Sequence, residues 1–400
     1  MENLSVFLNQ LQAKFHRRLE HASLSHYWSL YVVLIAVAVS YLSELPQYTA
    51  IQEFISTPYG QAKIWWLENP LQAVPVDHFF PLAERHLGYN AGCASHCDKL
   101  TFRIALPVLH KIAPFGIWTL VITSHIAAVA IFWMTYKLLF RSSADSVSAS
   151  LATWALAGTY AGELGFKDFY YGDALAVALL LGAMMTRRRW LIMLLIVVAG
   201  FTDERAVIAA PLIALFHYWQ SKNPTFGADQ QHLKLSDLWI AWPTICGILI
   251  YLLMRVFLTK SFGVSSGSSM LATIDILRAH LYSNYPVRIL KVFEFLWTAP
   301  VLFVLFAVNK QGLFSVNSLI FPMSFSFAAM PALLVWDVDR SLYYLLPGIL
   351  ISLFFWQFSL ASLRSFLQLC LIGTLVWVFP GGTILRSIDF YVSSFITFNK

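Results

Sequence analysis

Long apolar runs, broken by short polar stretches, set the pattern of this chain. They fall at residues 27–42, 117–140, 148–164, 174–185, 190–201, 206–219, 238–258, 289–308, 313–335, 342–357 and 363–378. A helix needs about 20 apolar residues to cross a bilayer core, and several of these runs approach that length. The runs at 174–185, 190–201 and 206–219 are shorter. Half-length helices are tolerated at membrane depth where they line a cavity inside the protein. The period-2 alternation of a membrane β-barrel is absent. The pattern therefore predicts an all-α fold, a polytopic transmembrane helical bundle of about 11 spans, organised as one integral-membrane domain over residues 1–400.

The segments between the runs carry their own patterns. In residues 1–26, Leu4, Phe7, Leu8, Leu11 and Phe15 recur at helical spacing beside Lys14, Arg17 and Arg18. This predicts an amphipathic helix lying on the membrane. Residues 43–115 form a long, proline-punctuated first loop, with short interfacial helices expected at 51–69 and 99–112. Loops of this length are usually functional or carry structure of their own. A second long loop is expected over 259–286, opening with a Gly/Ser-rich stretch from Gly263 to Ser269.

Composition and charge sharpen the picture. The chain has 400 residues, 58% of them hydrophobic and 12% charged, with a mean hydropathy of +0.65. Soluble domains carry roughly 25% charged residues. The net charge of +6 forms no single basic block, so nucleic acid is not an expected partner. The basic residues instead follow the positive-inside bias. Lys14, Arg17, Arg18, Lys137, Arg141, Arg187, Arg188, Arg189, Lys222, Lys234, Lys310 and Arg364 fall on one side of the eleven-span topology, and most acids on the other. The N-terminus is then cytoplasmic, the two long loops are external, and the expected location is a bacterial inner membrane.

The external side gathers Asp77, Glu84, Asp98, Arg103, Glu163, Asp168, Asp173, Asp203, Glu204, Arg205, Asp337, Asp339 and Arg340. Phe201-Thr202-Asp203-Glu204-Arg205 stands out, because its charges lie between two apolar runs. Charges held so close to hydrocarbon mark functional sites by default. A carboxylate there can act as general base toward a hydroxyl, and an arginine can grip a phosphate bidentately. Each candidate also has a structural reading. Arg103 could pair with Asp98, Asp77-His78 could be a loop turn, and Asp337 with Asp339 could cap a helix ahead of Arg340. Cys93 and Cys97 share one polar loop and pair as a disulfide or stay as thiols. With His96 they offer three of the roughly four ligands a structural zinc needs, so no metal is expected. No nucleotide-binding glycine signature occurs, and no cofactor is expected.

Taken with the topology, three stretches resemble the GT-C superfamily of integral-membrane glycosyltransferases. These are residues 99–107 (Lys99 to Pro107), Asp203-Glu204-Arg205 with Pro211, and Asp337-Val338-Asp339-Arg340-Ser341 with Pro347. The resemblance lies mostly in architecture: a cytoplasmic N-terminus, a large first outer loop with membrane-lying helices, short early spans and a late outer Asp/Arg segment. The acidic pair such proteins commonly carry soon after the first span is missing. Glu44 stands there alone, and Asp77-His78 comes later. The resemblance implies transfer of a sugar from a polyprenyl-phosphate-linked donor to a glycan or lipid acceptor on the outer face, with inversion. Asp77, Glu44 or Asp98 would be the base, and Arg103, Arg205 and Arg340 would hold the donor phosphate. His78, Asp203, Glu204, Asp337 and Asp339 would support them. The alternatives are a multi-span transporter or lipid flippase, and a surface-polysaccharide polymerase or ligase.

Overall fold

The structure is a computed structural model that describes residues 2–43, 50–72, 74–80, 100–222, 239–262, 285–312, 316–333, 335, 337–356 and 358–376. Among these residues it is all-helical. The chain opens with α1 (Glu2–Ser23) and α2 (Trp28–Ser43), followed by α3 (Ala50–Ser56), α4 (Pro58–Glu68), α5 (Val76–Phe79) and α6 (Ala105–Ile112) of the first loop. The bundle continues with α7 (Trp118–Ser143), α8 (Ser146–Ala157), α9 (Tyr160–Lys167), α10 (Asp173–Met185), α11 (Arg189–Thr202), α12 (Arg205–Lys222) and α13 (Trp242–Phe262). It closes with α14 (Tyr285–Phe293), α15 (Thr298–Gln311), α16 (Val316–Leu333), α17 (Val338–Leu342), α18 (Leu346–Phe354) and α19 (Leu360–Val376).

Among the described residues, three helical stretches are long and apolar enough to cross a membrane: Trp118–Ser143, Trp242–Ser261 and Pro286–Lys310. Their outward faces are apolar, as Leu249, Leu253 and Phe257 on α13 show at 51%, 69% and 64% exposure. Such a surface is stable against lipid and costly against water. The remaining apolar helices are shorter. At about 1.5 Å per residue, the 13-residue α10 spans only about 20 Å.

Local chemistry explains where helices break. The stretch expected as one helix over 51–69 is two, because Pro58 has no N–H to continue α3 and instead starts α4. Thr57 caps α4 by accepting the Gly60 N–H at 3.0 Å. The helix expected over 99–112 is interrupted: Leu100 is helical, a turn follows at Thr101 and Phe102, and α6 starts at Ala105. Pro107 is tolerated in a first turn, but its ring would meet the carbonyl of residue 103 if the helix began earlier. The apolar run 148–164 is also split, into α8 and α9. Thr159 accepts the Gly162 N–H there and starts the second helix. The run 289–308 breaks at Glu294, where a 3-10 turn over Glu294–Trp297 separates α14 from α15.

Two cores result. The larger runs through the bundle and includes Trp154, Val177, Leu212, Phe216, Trp219, Leu345 and Ile349. The smaller joins α3, α4 and α6 to the start of α7 and to Phe169, through Tyr59, Trp66, Phe80, Leu106 and Leu120. It forms a cap over one end of the bundle. Lys63 of α4 is fully buried in this cap. It donates to the Tyr170 carbonyl at 3.0 Å and faces the rings of Tyr59, Trp66 and Tyr171 at 4.9–5.4 Å. The opposite end is held by Arg364, which pairs with Asp145 at 2.8 Å and with Glu20 of α1.

Gly172 links cap and bundle. It sits at φ +81° just before α10, and a Cβ there would lie 2.6 Å from Leu106 Cδ1. Gly172→Ala should therefore lower stability by about 1–2 kcal/mol from the left-handed backbone alone. Thermal unfolding of the detergent-solubilised protein measures it.

Candidate functional site

The site lies beneath the cap, where four helix ends meet. Three short breaks deliver its residues. Gly172 places Asp173 at the first position of α10, and the α11–α12 turn supplies Asp203, Glu204 and Arg205. The start of α17 supplies Asp337, Asp339 and Arg340. Arg103 reaches in from the segment before α6.

These residues form a ladder of alternating charge. Arg103 binds Glu204 at 3.3 Å and Asp203 at 2.8 Å. Asp203 accepts from Arg205 Nε and Nη2, each at 2.8 Å, and from the Arg205 backbone N–H at 3.0 Å. That last bond caps α12. Arg205 Nη2 also donates to Asp173 at 2.6 Å, and its Nη1 to Ser341 Oγ at 2.9 Å. Asp173 in turn accepts Arg340 Nε at 2.9 Å, Arg340 Nη2 at 2.6 Å and the Tyr344 hydroxyl at 2.9 Å. Arg340 ends the ladder on Asp337 at 2.6 Å and stacks on the Tyr171 ring, its guanidinium carbon 3.4 Å from the ring centroid.

The middle of the ladder is dry and its ends are wet. The side chains of Asp203 and Asp173 are 0% and 1% exposed, and those of Glu204 and Asp337 are 28% and 33% exposed. Burial opposes ionisation of Asp203. The guanidiniums of Arg103 and Arg205 overcome it and hold the carboxyl far below the ordinary carboxylate range. Each of the three arginines expected to grip a phosphate is thus engaged by carboxylates. A phosphate could reach them only by displacing one.

A second cluster sits at the rim. Asp339 binds Arg288 at 2.8 Å and Lys291 at 3.5 Å, both from α14. Lys291 lies 4.7 Å and Lys167 5.9 Å from the Tyr160 ring. Tyr160 donates its hydroxyl to Asp168 at 2.8 Å. Burial pushes the Asp168 carboxyl up, against the pull of Arg340 and of the Tyr160 hydrogen bond. Arg288 and Lys291 are 30% and 37% exposed. Their helical neighbours Val287 and Leu290 present apolar surface outward.

Of the residues expected from the sequence, the structure brings Arg103, Asp203, Glu204, Arg205, Asp337 and Arg340 into the ladder and Asp339 into the rim. Asp77 and His78 lie on α5 in the cap, and neither takes part in the ladder. Glu44 and Asp98 lie outside the described residues, as do Cys93, His96 and Cys97. Arg103 contacts Asp203 and Glu204, and the expected Arg103–Asp98 pairing lies outside the described residues. Sequence reasoning gave no role to Asp173, the hub, or to Tyr160, Lys167, Asp168, Arg288, Lys291 and Tyr344. Asp173 did carry a signal, a carboxylate directly after a glycine at the start of an apolar run. Among the described residues, no set of three His, Cys, Asp or Glu side chains converges as a metal site would. No protein-family model, curated protein or solved structure matches this chain.

Removing one carboxylate from a buried ion-pair network typically costs about 3–5 kcal/mol, because the partner charge is left bare. Asp203→Ala and Asp173→Ala should each destabilise the protein by that order. The Asp203 contribution has a defined pH sense. A carboxyl held below its unfolded value stabilises the fold fully above that value and loses the contribution as pH falls through the folded one. Unfolding midpoints of the wild type should hold from neutrality down to about pH 4, near the unfolded value, and fall below it. Asp203→Asn should show a weaker acid slope.

Proposed function

We propose that this protein is an integral-membrane glycosyltransferase of GT-C type, acting on a polyprenyl-phosphate-linked sugar at its capped, outer face. In this reading about eleven helical segments cross the membrane, the N-terminus is cytoplasmic, and the host is a bacterial inner membrane. One observation carries the proposal. At the rim, Arg288 and Lys291 lie on α14, a helix whose other face is apolar, and Lys291 and Lys167 flank the ring of Tyr160, which donates its hydroxyl to Asp168. A lipid phosphate has the same pairing of an anionic head and a long apolar tail.

The chemistry follows from those groups. The prenyl chain would lie along the apolar face of α14, and the cations would hold the phosphate by charge-assisted hydrogen bonds. Asp168 would take the proton of the acceptor hydroxyl. The acceptor oxygen would bond to the anomeric carbon while the carbon–oxygen bond to phosphate breaks, its electron pair leaving with the phosphate. The leaving group departs as a stabilised anion and needs no acid. Asp77, Glu44 and Asp98 would shape the acceptor side of the first loop or share the role of base. The ladder of Arg103, Arg205 and Arg340, with Asp203, Glu204 and Asp337, would fix the helix ends that carry these groups. A transport reading draws its support from the same saturated ladder, which could act as a gate.

Binding of polyprenyl phosphate to the protein in lipid nanodiscs tests the proposal. Arg288→Ala with Lys291→Ala should weaken binding at least about tenfold, a change of about 1.4 kcal/mol. Asp168→Asn should leave binding intact and remove transfer. Because its carboxyl is pushed up, the acid limb of the rate profile should lie above the ordinary carboxylate range. Equal binding by the wild type and the double variant would overturn the assignment. Solute uptake into proteoliposomes without lipid binding would favour transport.

A further inference from the structure

The stretch Pro286–Lys310 is apolar enough to span a membrane, yet it is interrupted by a carboxylic acid. Glu294 sits at φ +47°, the left-handed region that a glutamate rarely adopts, and opens the 3-10 turn between α14 and α15. Its Oε2 is buried and has no hydrogen-bond partner among the described residues. Opposite lies Thr374 of α19, fully buried, whose Oγ1 also lacks a partner. The Thr374 hydroxyl is the group placed to make a weak hydrogen bond to the Glu294 carboxyl, and Glu163 of α9 is the neighbouring carboxylate. The arrangement is built closely. Cβ atoms placed on Gly373 and Gly158 would meet the Phe295 ring at 2.4 Å and Thr374 Cγ2 at 2.5 Å.

The other charged groups nearby are committed elsewhere. Arg288 and Lys291 of α14 bind Asp339 of α17, and Arg340 of α17 binds Asp173 and Asp337. Lys167 of α9 lies against the Tyr160 ring. On α19, Arg364 is held by Asp145 at the other end of the bundle, and Cys370 is a buried thiol. On α15, Lys310 stands at the far end of the helix. No cation faces Glu294 among these groups.

A carboxylate ionised in such a place would have one oxygen shut off from water and no cation beside it, a costlier state than the neutral acid. Intramembrane acids are correspondingly rare and mark ion or proton sites. Backbone strain of this kind clusters at sites and switches. We propose that Glu294 is a proton-binding site within the bundle, holding its proton at neutral pH. Releasing that proton would place a bare charge beside Glu163 and act on the turn that joins α14 to α15. Because α14 carries Arg288 and Lys291, proton occupancy would be linked to the geometry of the rim cluster. The proposal does not depend on which substrate that rim receives.

Infrared difference spectroscopy of the full-length protein in nanodiscs tests it. The wild type at neutral pH should show the carbonyl band of a protonated, weakly hydrogen-bonded carboxylic acid. That band should vanish in Glu294→Gln, persist in Glu163→Gln, and shift in Thr374→Val. Titration to alkaline pH should bleach it in the wild type. A band unchanged in Glu294→Gln, or no such band at neutral pH, overturns the proposal. So does a band controlled by sodium concentration at fixed pH, which would make the site a metal-cation site. Thermal unfolding of each variant identifies any that fails to fold. Should Glu294→Gln fail, the effect of Thr374→Val on the wild-type band decides.

Discussion

Asp173 holds two guanidiniums, and the arrangement of the capped end depends on that pairing. A charge with 1% side-chain exposure must be matched by opposite charge and by hydrogen bonds, because the desolvation cost of an ion amounts to several kcal/mol. Asp173 meets the demand with Arg205, Arg340 and Tyr344. Arg205 comes from the α11–α12 turn, and Arg340 and Tyr344 come from α17 and the turn that follows it. The start of α10, the α11–α12 turn and α17 must therefore arrive together, and Arg103 brings the first loop into the same network through Asp203. Buried ion pairs add little net stability compared with apolar packing. What they impose is geometry: a helix end shifted by a few ångströms would leave a carboxylate without its partner.

This constraint explains why so many helices of the bundle are short. Residues 173–222 form three helices, α10, α11 and α12, whose ends at 173 and 203–205 converge on the ladder. A longer α10 or α11 would carry those charged ends past one another. The cap then closes the assembly from above. Tyr171 lies between Arg340 and Lys63, 3.4 Å from one and 4.9 Å from the other. One aromatic ring thereby serves two buried cations, and cation–π attraction strengthens as water is excluded. The cap and the ladder are accordingly one polar unit, although the apolar cores they belong to are separate.

Helix content and the apolar segments were legible from hydropathy, because that pattern reflects what each helix buries. The charged stretches at 203–205 and 337–340 were legible as well, since charges at the ends of apolar runs have few alternatives to clustering. Partner choice was not legible. Asp203 and Arg205 are near neighbours in sequence, but Arg205 is 136 residues from Ser341, and Asp173 is 167 from Arg340. Only packing decides such pairings. The break at Glu294 was equally hidden. No proline or glycine marks it, although Glu294 adopts a left-handed φ there. The break at Pro58 could have been read, because proline cannot donate the bond that would continue α3.

The saturation of the ladder bears directly on where an anionic ligand could act. Three guanidiniums face four carboxylates there, so the network has no positive charge to spare when all are ionised. A phosphate entering it would face repulsion and would have to expel a buried carboxylate. At the rim, Arg288 and Lys291 both bind Asp339 and are 30% and 37% exposed. Those two cations lie on α14 beside the exposed apolar side chains of Val287 and Leu290. Their exposure is what led us to propose the rim, over the engaged arginines of the ladder, as the place for an anionic headgroup. The ladder is better understood as the frame that holds Asp339, through its neighbour Arg340, at the distance from α14 where two cations can share it.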